Sequence, residues 1–83
     1  MPKPSKRERI HAELVSLLLK HREKVGMSMT RLAEKSGLSL SMISFVERSL
    51  RKPTLDTLLR IAEALDVDLW KLLRDATVSA GKA

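Results

Sequence analysis

Cysteine is absent, which rules out disulfides and thiolate metal sites and fits a reducing compartment. Aromatic residues are nearly absent: Phe45 and Trp70 are the only two. No β-branched run alternates with period two, so a sheet is not expected. The longest apolar run is Leu17 to Leu19, three residues, far short of a membrane span. The N-terminus is basic, but no apolar signal core follows it, so the expectation is a cytoplasmic protein with no membrane partner. Only two histidines are present, His11 and His21, ten residues apart, and no metal set is expected from them. His21 lies within an apolar stripe and reads as a partly buried structural residue. No nucleophile–base–acid arrangement is visible, and the serines sit where helix caps are needed. An enzyme, a cofactor and a small-molecule ligand are therefore not expected.

What is present is helical periodicity and positive charge. The 83 residues carry a net charge of +6. Residues 1–24 contribute +4, residues 25–52 contribute +3 and residues 53–83 contribute −1. A basic first two thirds points to a polyanion-facing side, with a solvated basic surface as the plainer alternative. At this length folding buries only about 60–65% of the unfolded surface, so a partner subunit would add usefully to stability.

"MPKP" reads as a short arm. Ser5 and Glu8 have capping-box spacing, so a first helix can begin near Lys6. Its stripe is Ile10, Leu14, Leu17, Leu18 and Val25, and Gly26 ends it. Ser28 can cap a short second helix that stops at Gly37. Ser39 can cap a third, running to Arg48. Pro53 and Thr54 begin a fourth, with Leu58, Ile61, Ala62 and Leu65 on one face. After the turn Asp66–Asp68, Asp68 can cap a last helix with Leu69, Leu72 and Leu73 inward. The tail "TVSAGKA" reads as polar and frayed. Val15 and Leu19 lie off the main stripe of the first helix and fit either packing against the last helix or a partner surface. The expected organisation is a basic arm and helix start over 1–12, one domain over 13–76 and a tail over 77–83.

Met29 to Arg48 reads "MTRLAEKSGLSLSMISFVER". Leu32 and Leu38 bracket a turn, Ala33 is small enough for close helix approach, and Gly37 suits a left-handed position. Ile43 and Val46 point back at Leu32 and Ala33, which fixes two helices at a steep angle. With "HREKVGMS" before this stretch, "ISFVERSLRKPT" after it and "LLRIAEALDVDLWKLL" at the end, the sequence resembles the Xre/Cro-like, phage-repressor type of helix-turn-helix domain. The resemblance covers roughly Leu14 to Leu73. It implies an all-α, compact five-helix lambda-repressor-like fold. It also implies a homodimeric transcriptional regulator on double-stranded operator DNA, with helix 3 in the major groove.

On that reading Leu40, Ser41, Ser44, Phe45 and Arg48 are the base-contact candidates. Leu40 and Phe45 suit thymine methyls, and Ser41 and Ser44 discriminate bases poorly. Met42 reads as core edge, and Leu40 can equally line the start of helix 3. Ser28, Thr30, Arg31, Ser39, Arg51 and Lys52 are phosphate candidates, and Arg48 also qualifies by position. Arg22 and Glu47 match a pair that forms a salt bridge in the family. Trp70 and Leu73 are the expected dimer contacts, with Trp70 lying flat over Leu73 in its own subunit as the alternative. Lys3, Lys6, Arg7 and Arg9 make a basic arm that follows DNA or stays solvated.

Three departures from the family pattern stand out. Met29 replaces a frequent phosphate-binding Gln. Ser49 occupies a position usually held by Gly. The reading face lacks amide side chains. An apolar reading face also fits a different class of protein, an interaction module that binds a toxin-like or polymerase-like partner through helix 3.

Overall fold

The computed structural model describes residues 2–81. Five helices follow one another: α1 (Lys6–Lys24), α2 (Met29–Ser36), α3 (Leu40–Glu47), α4 (Leu55–Ala64) and α5 (Leu69–Ala80). No strand occurs among the described residues. The helix starts follow from local chemistry. The Ser5 hydroxyl accepts from the Glu8 N–H at 3.1 Å, and the Glu8 carboxylate accepts from the Ser5 N–H at 3.2 Å, closing a capping box. Hydrogen bonding of the Ser5 backbone N–H, and then of the Ser5 hydroxyl, to the Glu8 carboxylate holds it below the usual carboxylate range. The Thr54 hydroxyl caps α4 more simply, accepting from the Thr57 N–H at 3.1 Å. Asp68 occupies the N-cap position of α5, but its side chain makes no cap hydrogen bond. Its carboxylate lies 3.6 Å from Lys71 Nζ instead.

The helix ends share one device. After α1, α3 and α4 the chain turns through a left-handed residue: Gly26 (φ 70°), Ser49 (φ 57°) and Asp66 (φ 57°). Each time the next N–H reaches back to a carbonyl five residues earlier, as from Met27 to Arg22, Leu50 to Phe45 and Val67 to Ala62. Ser49 and Asp66 adopt this conformation without being glycine, at a cost of about 1 kcal/mol each.

The core combines Leu14, Val15 and Leu18 of α1 with Leu32 and Ala33 of α2, Ile43 and Val46 of α3, and Ile61, Ala64 and Leu65 at α4. α5 adds Ala76 and packs along α1. Val15 therefore belongs to the core, since α5 covers the flank of α1 on which it lies. Two members of the expected stripes do not. Val25 is the C-cap of α1 and swings outward as the chain leaves the helix, so it is exposed. Leu73 is 43% exposed, because α5 turns its Ala76 and Ala80 side toward α1. The expected frayed tail is helical through Ala80, which is buried, and the Ala80 carbonyl accepts from Arg9 Nε at 3.3 Å. Small residues at 76 and 80 let the two helices approach closely, and this contact holds residues 77–80 in helical form. Residues 82–83 of the expected tail lie outside the described residues.

Candidate nucleic-acid interface

α2 and α3 are joined by the short turn Gly37–Ser39. Gly37 takes φ 74°, and both the Gly37 and Leu38 N–H groups bond to the Ala33 carbonyl. Ile43 and Val46 are fully buried against this unit, so α3 presents its other side outward. That side carries exposed Leu40 and Ser41, half-buried Ser44 and Phe45, and, at the C-cap, exposed Arg48. Met42 is half-buried against the core, which is its expected place at the core edge.

Phe45 is not the freely exposed ring that periodicity suggests. The Arg48 guanidinium carbon lies 5.9 Å from its ring centre and that of Arg51 lies 5.1 Å away. The left-handed turn at Ser49 folds the chain back and brings Arg51 over the ring. Both separations lie within cation–π range, so two cations and one aromatic form a single cluster at the end of α3. Sequence reading missed this cluster, although Phe45 and Arg48 stand at i and i+3.

Ser28 and Ser39 start α2 and α3. Their hydroxyl oxygens accept from the Arg31 and Met42 N–H groups, each at 3.0 Å. A capping hydroxyl keeps its own proton free, so both can still donate to an anion at a helix N-terminus. Thr30 is exposed beside them. Arg31 reaches Glu34 at 3.4 Å, an exposed pair three residues apart that contributes little. Among the described residues, no acid lies within ion-pair distance of Arg48, Arg51 or Lys52. Arg48 and Arg51 thus put two cations without an ion-pair partner at the end of α3, and Lys52 acts on the Glu8 carboxylate at the start of α1.

Arg22 and Glu47 fix that face to the rest of the domain. Arg22 Nε and Nη2 donate to the two Glu47 carboxylate oxygens at 2.7 and 3.1 Å, and Nη1 donates to the Met27 carbonyl at 2.7 Å. Both side chains are only 13% exposed. The Met27 carbonyl is a third partner that no sequence pattern announces. Trp70 (61% exposed) and Leu73 lie on α5. With Leu55 (66% exposed) and Leu59 (49% exposed) they line a groove between α4 and α5, bordered by Glu63 and Asp66. Lys71 and Arg74 lie over the Trp70 ring at 5.8 and 5.4 Å.

A short helix, a glycine turn and a second helix locked onto a shared core, with its outer side free, define a helix-turn-helix domain. The sequence profile of the helix-turn-helix family matches residues 18–69, more than half of the chain. The chain belongs to this family, in its Xre-like branch. An uncharacterized HTH-type transcriptional regulator of Mycobacterium tuberculosis, Rv0474, is 50% identical over 52 residues, which are 63% of this chain and 37% of that protein. The chain thus spans little more than a third of that relative. Among solved structures, it is similar to the restriction–modification controller protein C.AhdI from Aeromonas hydrophila. The two share 34% identity over 75% of this chain and 94% of that one, with a TM-score of 0.70. It is also similar to the controller protein C.Esp1396I, solved as a tetramer in complex with its natural 35 base-pair operator. There the identity is 28% over 83% of this chain and 95% of that one, with a TM-score of 0.74.

Proposed function

We propose that the chain is a sequence-specific DNA-binding transcriptional regulator. It acts as a homodimer on a pseudo-palindromic operator and places α3 in the major groove. The observation that carries this reading is the free outer side of α3, with Arg48 at its C-cap and Arg51 gathered against Phe45. Leu40, Ser41, Ser44, Phe45 and Arg48 meet base edges. Ser28, Thr30, Arg31, Ser39, Arg51 and Lys52 meet phosphates and set the register. The operator complex of C.Esp1396I supports this reading by fold and by size. The protein works by binding rather than by catalysis, and it does so in the cytoplasm; no described helix is long and apolar enough to cross a membrane. The dimer forms through the α4–α5 groove. Leu55, Leu59, Trp70 and Leu73 supply an apolar centre on one side of the molecule, and an aromatic anchor of this kind is typical of interface centres.

Selection of bound duplexes from a random pool, followed by titration at several salt concentrations, tests the reading. Three or four cations per subunit give six to eight phosphate contacts in a dimer, so log affinity falls with log salt at a slope of about −5 to −7. A slope shallower than about −2, or failure to enrich any sequence, sinks it. The exposure of Leu40, 48%, favours a second reading, in which α3 grips a protein. On that reading, Leu40→Ala abolishes a protein complex and leaves DNA affinity unchanged.

A further inference from the structure

The chemistry of the α3 face restricts what it can recognise. It carries no Asn or Gln, the side chains that pair with adenine edges. Ser41 and Ser44 accept or donate to any base. What remains is apolar surface at Leu40 and Phe45 and the planar donor fork of Arg48. In the major groove, apolar surface complements the C5-methyl group of a pyrimidine, and a guanidinium complements guanine O6 and N7. Phe45 and Arg48 are held together: the guanidinium carbon is 5.9 Å from the ring centre, and Arg51 closes the ring's surroundings at 5.1 Å. Neighbouring base pairs are about 3.4 Å apart along the axis, so a 5.9 Å separation spans one base-pair step with a sideways offset of about 5 Å.

We infer that the Phe45–Arg48 pair reads a C5-methylated pyrimidine followed by guanine on one strand, with Phe45 on the methyl group and Arg48 on the guanine. The inference rests on the DNA-binding reading above. Two bases supply that chemistry, thymine and 5-methylcytosine, because both place the same methyl at the same point in the major groove. The protein is therefore sensitive to cytosine methylation at a CpG step: methylation converts a poor site into one equivalent to TpG. Arg51 lies beyond the Ser49 turn, also sits within cation–π range of the ring, and serves a phosphate. Phe45 has a second role as a positioning residue, since its face keeps both guanidinium groups from sampling other rotamers.

The test uses the full chain and a duplex selected from a random pool. Three versions differ at one step only: TpG, CpG and 5-methyl-CpG. The expected result is that CpG binds about tenfold more weakly than TpG, the scale of one lost base contact. 5-Methyl-CpG is expected to return to within about threefold of TpG. Phe45→Leu keeps apolar bulk at the half-buried position, and circular dichroism checks its fold. It retains the methyl preference in reduced form, whereas Phe45→Ala removes it. Arg48→Ala removes discrimination for guanine, read against a fourth duplex with TpA at the same step, and Arg51→Ala weakens all the duplexes by similar factors. Equal affinity for CpG and 5-methyl-CpG at every step of the selected site, with salt-dependent specific binding intact, overturns the inference and leaves the DNA-binding reading standing. Absence of binding to any duplex overturns both.

Discussion

Removing the Glu47 carboxylate strands the Arg22 guanidinium in a site where its side chain is 13% exposed. Nε and Nη2 lose their acceptors at 2.7 and 3.1 Å, and only the Nη1 bond to the Met27 carbonyl remains. Leaving one charge of a buried pair behind costs about 3–5 kcal/mol. The residual exposure lets water reach part of the stranded group, which brings Glu47→Ala to about 2–3 kcal/mol. For a domain of this size that corresponds to a fall in Tm of about 10–20 °C. Replacing both partners, Arg22→Met with Glu47→Leu, strands no charge and recovers most of the loss. Urea unfolding of the wild type, Arg22→Met, Glu47→Leu and the double variant, followed by far-ultraviolet circular dichroism, closes the cycle. A Glu47→Ala loss below about 0.5 kcal/mol, or a double variant no more stable than the singles, would refute the view that this pair is a buried, mutually dependent clamp.

Ser49→Gly removes the left-handed penalty at φ 57° and stabilises the domain by about 1 kcal/mol; a thermal melt showing destabilisation would mean that the serine compensates in some other way. Trp70→Ala weakens self-association by about 30-fold or more, read by sedimentation equilibrium; unchanged association with the fold intact removes Trp70 from the interface. Glu8 has a folded-state pKa below its unfolded value, so its contribution to the α1 cap is present above the unfolded value and is lost as pH falls through the lower, folded one. An NMR titration of the Ser5 amide should show its shift moving in that acidic window, and a midpoint at the ordinary glutamate value would contradict the capping box.

What the sequence determined was local or periodic. Capping hydrogen bonds at Ser5, Ser28, Ser39 and Thr54 span three residues, so residue type and spacing suffice to place four of the five helix starts. Ala33, Gly37, Ile43 and Val46 specify the helix-turn-helix because a small residue, a left-handed turn and two inward anchors leave few ways to join two short helices. Tertiary structure decided the rest. Periodicity assigns a residue to a side of its own helix but does not say which arc a neighbour covers. The rotation of α5 against α1 buried Val15, Ala76 and Ala80 and left Leu73 half open. The turn at Ser49 brought Arg51 back over a ring six positions earlier, converting an apparently bare Phe45 into the centre of a cationic cluster. The third partner of Arg22 is a backbone carbonyl, and carbonyls carry no signature in sequence. Such contacts follow from how helices are set against one another, and packing of the whole core fixes that.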